Sequence, residues 1–233
     1  MLMLVGALLV GYLVPLAVYF FLKSAHPNDE EYKKDCRKLL FQGWLLGFPV
    51  FGFSLLCNIF FGLTQLGDKS EILKLFFSNF VLKAFSEELM KYLLAARTFK
   101  KNRGKAGFLD LMSFCAISAI GFEMMESIIY IFESNIPQIL VRAITNMHAA
   151  FGLIAGYIIA KGIKKGRKHP AVLGVLVATI VHGVYDLCLA DTLVDTDWGF
   201  LALAIAAGCL ILNICNYFFM KKARNDSYYT DPL

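Results

Sequence analysis

Two carboxylates and an ammonium stand together in SEELMK (residues 86–91), and three further stretches supply groups of the same chemistry. GFEMMESIIY (121–130) carries Glu123 and Glu126, NMHAAFGLIAGY (146–157) carries His148, and HGVYD (182–186) carries His182 and Asp186. Carboxylates and imidazoles move protons near neutral pH, so such a set could activate a water for hydrolysis or pass protons along a relay. Several carboxylates in one low-dielectric space cannot all ionise cheaply, and a shared proton is expected among them. No serine stands in a GxSxG or Ser/Lys setting, and neither Cys115 nor Cys188 has an adjacent histidine that would mark a thiolate nucleophile.

All of these groups interrupt apolar sequence. The 233 residues are 58% hydrophobic and only 18% charged, with a mean hydropathy of +0.61. A hydrocarbon core about 30 Å thick takes about 20 apolar residues per helix. The chain therefore reads as an all-α, polytopic membrane protein of about seven spans, near 2–22, 39–63, 73–97, 107–133, 138–160, 171–190 and 198–220. One membrane-embedded domain over 1–233 is expected, with its charged core at about 73–190. The first run lacks a basic n-region and a small-residue cleavage site, so it reads as an uncleaved span. Six cysteines without ligand spacing read as packing residues.

The connections set the orientation. Lys23, Lys33, Lys34, Arg37 and Lys38 lie in one, Arg97, Lys100, Lys101, Arg103 and Lys105 in a second, Lys161, Lys164, Lys165, Arg167 and Lys168 in a third, and Lys221, Lys222 and Arg224 in the tail. The alternate connections, 64–72, 134–137 and 191–197, hold only Lys69. This alternation predicts an N-outside, C-inside topology. The net charge of +5 is then explained by topology and anionic inner-leaflet lipid, with no nucleic acid partner.

Spans 1, 2 and 7 carry no ionisable groups except tyrosine and cysteine, whereas spans 3 to 6 carry Lys83, Glu87, Glu88, Lys91, Asp110, Glu123, Glu126, Arg142, His148, His182 and Asp186. A charge at mid-membrane costs about 2.5–3.5 kcal/mol on insertion scales and by default faces a protein interior. Helical spacing puts Lys83, Glu87, Glu88 and Lys91 on one face, and His182 and Asp186 one turn apart. A four-helix cavity near mid-bilayer is expected. Arg142 near the end of span 5 reads as an interfacial anchor, and Asp110 at the inner edge of span 4 as water-exposed.

SEELMK resembles the EExxK motif of the PrsW family of glutamic-type intramembrane proteases. Phe122 and Glu126 match that family's FxxxE element, His148 followed by small residues its third motif, and His182 with Asp186 its fourth. The four occur in family order over roughly 74–190. The resemblance implies a multi-pass protease of the bacterial plasma membrane that cuts a single-span membrane protein. An anti-sigma factor cut first on its extracytoplasmic side is the implied partner. The wider superfamily includes CAAX prenyl endopeptidases.

Amide hydrolysis needs a base for water, a donor for the oxyanion and an acid for the leaving amine. Glu87 is the expected base, with Glu88 as second candidate or as a group oriented by Lys91. Glu126 would share a proton or hold the water. His148 would hold water or protonate the amine, and His182, set by Asp186, would stabilise the oxyanion. Glu87, Glu126, His148 and His182 also make up an O2N2 set for zinc, but without an HExxH helix hydrolysis without a metal cofactor is the expectation. A proton-coupled transporter and a non-catalytic scaffold are the alternative classes. A transporter would more often show internal repeats and broken spans.

Overall fold

The computed structural model describes residues 2–64, 71–132, 136–189 and 197–233. Most of the three weakly basic connections used for the orientation lies outside these residues. The described chain is helical and without strands: α1 (Leu2–Lys23), α2 (Glu30–Thr64), α3 (Glu71–Phe76), a π-helical segment (Phe77–Phe85), α4 (Ser86–Lys101), α5 (Phe108–Phe132), α6 (Ile136–Thr145), α7 (Met147–Lys164), α8 (Pro170–Cys188), α9 (Asp197–Ala223) and α10 (Ser227–Thr230). Four stretches of the described helices are long and apolar enough to cross a bilayer: Glu30–Cys57, Phe108–Tyr130, Pro170–Cys188 and Asp197–Ala223. The third expected span is one continuous helical run over 71–101 whose charges remove it from that apolar class. The fifth is split at Asn146, so among the expected spans one is charged and one is broken.

Helix α5 is the axis of the bundle, buried throughout its apolar stretch. Its small residues explain this place. Without a strong hydrophobic drive between helices in lipid, close backbone approach supplies the packing energy. A Cβ at Gly121 would strike the backbone of Leu40 and Trp44 in α2, and one at Gly152 or Gly156 of α7 would strike α5 backbone at Cys115–Ala116 or Met112. Thus α2 and α7 clasp α5 on glycine faces. Ser118 Oγ of α5 donates to Lys91 O of α4 at 3.0 Å, which ties the charged helix to the same axis.

The segment before Glu87 is π-helical, a wider turn common at functional sites. Asn79 Nδ2 donates to Leu75 O at 2.8 Å, and Ser86 Oγ donates to the Leu82 and Lys83 carbonyls as the chain returns to α-helix.

The four basic segments gather at one end of the bundle. Lys101 pairs with Asp35 at 2.8 Å, Lys105 with Glu31 at 3.4 Å, Arg224 Nη2 donates to Phe21 O at 3.2 Å, and Lys164 lies over the Tyr228 ring. The tail closes this end, with Leu233 N donating to Ala106 O at 3.1 Å. Asp110, expected to face water, is buried here: it accepts from His26 Nε2 at 2.6 Å and from Gly107 N at 2.7 Å. The hydrogen bond to Asp110 holds the His26 pKa above its usual 6.5, against the opposing effect of burial. A folded-state pKa raised above the unfolded one contributes stability that is complete below about 6.5 and lost as pH rises through the folded value. The melting temperature of wild type should therefore exceed that of His26→Gln most at about pH 6, and the gap should shrink as pH rises above about 6.5. Thermal unfolding of the two proteins in one detergent across that range checks this.

Candidate active site

Four elements bring the candidate residues together midway along the bundle. Lys91 is the hub. Its Nζ lies 2.8 Å from Glu88 Oε1, 3.3 Å from Glu87 Oε2 and 2.8 Å from His148 Nδ1, and 4.4 Å from the centre of the Phe122 ring. The i, i+3 and i, i+4 spacing of EExxK delivers both carboxylates to that one ammonium. From α8, His182 Nδ1 donates to Glu88 Oε1 at 2.9 Å, while Nε2 stands 3.4 Å from Asp186 and 3.9 Å from Glu87 Oε2. The rings of His148 and His182 meet edge to face with centroids 5.0 Å apart, and Phe151 stacks on His182.

A second cluster abuts the first. His148 Nε2 donates to Glu126 Oε2 at 2.7 Å, and Arg142 Nη2 donates to the same oxygen at 2.6 Å. Arg142 Nη1 donates to Tyr130 Oη at 2.8 Å. Arg142 is only 3% exposed, which corrects the expectation of an interfacial anchor. Sequence position near a span end hid this, because the break at Asn146 turns α6 back toward the site. Glu123, beside Phe122, is also buried, and neither of its carboxylate oxygens has a hydrogen-bond partner among the described residues. Lys83 lines the opening beside Glu87 but forms no ion pair with a described residue.

Access separates the carboxylates. A cleft of about 370 Å³ is lined by Lys83, Glu87, Phe122, Glu126 and Tyr130 together with Val50, Phe51 and Ser54 of α2. Glu88, Lys91, His148 and His182 are sealed behind it, none more than 4% exposed. A larger cavity of about 700 Å³ lies on the other side of the same helix, against Pro49, Val50 and Phe53 of α2 and Leu82, Leu89 and Met90, and its walls are apolar. Val50 borders both spaces. The cleft is built from the halves of α2 and α5 remote from the basic end.

One grouping has the chemistry of a metal site. Glu87, His148 and His182 each offer one ligand atom, and these atoms lie within 4.8 Å of one another. His182 Nε2 is buried and has no hydrogen-bond partner among the described residues, as a ligand nitrogen would be before binding. The type and proximity of the three donors fit a divalent ion such as zinc.

A family profile described as "PrsW family intramembrane metalloprotease" matches residues 36–219. The chain is 25% identical over 181 residues to "Protease PrsW" of Bacillus subtilis (strain 168), an alignment that covers 76% of this chain and 78% of that protein. It is 28% identical over 142 residues to "Protease PrsW" of Clostridioides difficile (strain 630), covering 57% and 58%, and 32% identical over 127 residues to that of Halalkalibacterium halodurans, covering 49% and 57%. No solved structure matches. The profile spans every helix that contributes a residue to the charged cluster, and with that match the chain belongs to the PrsW family of intramembrane proteases.

Proposed function

We propose that this peptidase, a multi-pass protein of the bacterial cell membrane, hydrolyses a peptide bond of a single-span membrane protein with water activated by Glu87. An anti-sigma factor cut on its extracytoplasmic side is the substrate that the PrsW resemblance implies. One observation carries the assignment of the base: Glu87 lines the cleft and its one hydrogen bond among the described residues is the 3.3 Å contact to Lys91, whereas Glu88 is buried behind it under two short hydrogen bonds. A base must reach the proton it takes, and a carboxylate already saturated by donors is a poor one.

In this mechanism a water held between Glu87 and Glu126 gives its proton to Glu87, and the hydroxide adds to the scissile carbonyl carbon. His182 Nε2, 3.4 Å from Asp186 and 3.9 Å from Glu87, makes no hydrogen bond with a described residue and is placed to donate to the developing oxyanion. Collapse breaks the C–N bond, and the proton on Glu87 passes to the leaving amine. His148, engaged on both ring nitrogens, holds Glu126 in place and does not reach the peptide. Should the family's metal be bound, Glu87, His148 and His182 are the residues to hold it, where it would polarise a carbonyl or lower the pKa of a water.

The position of the cleft, away from the basic end, supports cutting on the outer side if the basic end is cytoplasmic. Because Val50 borders both spaces, an apolar segment lying in the larger cavity would pass its chain into the cleft beside Glu87.

The test compares the termini of membrane proteins in wild-type and Glu87→Gln cells. An extracytoplasmic terminus in a single-span anti-sigma factor, present only in wild type, is expected. Identical terminus profiles would overturn the reading. Metal content and cutting measured on one chelated sample decide between the two ways of activating water. Cutting that survives full metal removal leaves Glu87 alone as the activator, and cutting restored by added zinc makes the ion the activator.

A further inference from the structure

Helix α9 carries no charged side chain between Asp197 and Lys221, and its surface over Leu201–Phe218 is largely exposed apolar residues, so it reads as a lipid-facing helix remote from the chemistry. Asn213 does not fit that role. Its Nδ2 donates to Thr145 O at 2.8 Å and to Asn146 O at 2.9 Å, the two carbonyls at the break between α6 and α7.

The break needs such a partner. Asn146 sits at φ 46°, ψ 55°, a left-handed conformation that L-residues adopt only singly and that asparagine tolerates better than most. Asn146 O keeps a backbone bond from Ala150 N of α7 at 3.2 Å, whereas the end of α6 leaves Thr145 O without its usual helical donor. Asn146 does not stabilise its own turn, because its side-chain amide has no hydrogen-bond partner among the described residues. The break, in turn, decides the site. On an uninterrupted helix, Arg142 and His148 would point about 120° apart, at about 100° per residue. Across the break, Arg142 Nη2 and His148 Nε2 converge on one oxygen, Glu126 Oε2, at 2.6 and 2.7 Å.

We propose that Asn213 is a positioning residue of this peptidase: by clamping the Thr145 and Asn146 carbonyls it fixes the α6–α7 break and so the Arg142–Glu126–His148 cluster. The proposal deepens the protease reading and rests on it for its kinetic consequence alone. Asn213→Leu keeps the size and removes the donor, and Asn213→Asp replaces the donor with an acceptor facing two carbonyls.

The test uses the full chain in detergent, with a single-span reporter containing the bond found by the terminus comparison. Both variants should lose kcat by up to about 10²-fold, the cost of a small misplacement, with KM within about twofold of wild type. In protein labelled with ¹⁵N-histidine, the ring signals of His148 should move in both variants while those of His182 stay at wild-type positions. The His148 shift needs no substrate, so it stands even if wild type cuts nothing, in which case the protease reading fails and the positioning role survives. Unmoved His148 signals, a loss confined to KM, or failure of both variants to accumulate as folded protein would overturn the proposal.

Discussion

Replacing Glu87 with glutamine should lower cleavage of a single-span substrate by about 10²–10⁴-fold, the contribution of a positioned general base, while the protein accumulates and melts as wild type does. The substitution keeps the shape and one acceptor oxygen but removes the group that takes the proton. The structural cost should be small, because the Lys91 ammonium keeps its shorter contacts to Glu88 and His148 when the 3.3 Å contact to Glu87 weakens. Glu88→Gln should behave in the opposite order. Glu88 Oε1 accepts from both Lys91 and His182, so its loss leaves a buried ammonium short of its principal counter-charge. Breaking one side of a buried ion pair costs about 3–5 kcal/mol. Glu88→Gln should thus lower the melting temperature or the folded yield, with reduced activity following from the loss of folded protein. Melting curves and initial rates on the same purified samples separate the two. A Glu87→Gln protein that cuts at the wild-type rate would remove Glu87 as the base.

Much of this site was legible because hydrocarbon makes polar residues expensive. Glu87, Glu88, Lys91, Glu126, His148, His182 and Asp186 stood out on consecutive apolar runs, and their helical spacing predicted that the members of each run would share a face. The structure brings those seven into one cluster, with Phe122 against Lys91. What stayed hidden depends on backbone geometry that single residues signal weakly. Nothing in AITNMHAA marks a helix break beyond an asparagine, a residue that tolerates left-handed φ but sits in ordinary helices too. Without that break, Arg142 reads as an anchor near a span end. Asp110 was misjudged for a similar reason: its burial depends on His26 from a loop 84 residues earlier in the chain. The π-helical turn before Glu87 has no local sequence signature at all, since its stabilising contacts, Asn79 to Leu75 and Ser86 to Leu82, also occur in α-helices.

The second large effect is expected at Lys91. Lys91→Met should abolish cutting and strongly destabilise the fold, because Lys91 is 2% exposed and the change leaves Glu88, and in part Glu87, as buried carboxylates without their cation. Histidine 182 still donates to Glu88, but one hydrogen bond cannot offset the desolvation of a full charge. The double variant Lys91→Met/Glu88→Gln removes both members of the closest pair, 2.8 Å apart. Removing a buried pair together is often near neutral where removing either half costs about 3–5 kcal/mol. The double variant should therefore recover most of the melting temperature lost by Lys91→Met. Cutting should not return with it. Lys91 also donates to His148 Nδ1, and His148 in turn holds Glu126 at the cleft, so in the double variant His148 has lost the donor that orients it and Arg142 is left as the fixed partner of Glu126. Stability restored without activity would separate the neutralising role of Lys91 from its role in placing His148. Activity restored together with stability would reduce Lys91 to a counter-ion and leave Glu87 and Glu126 as the whole proton machinery.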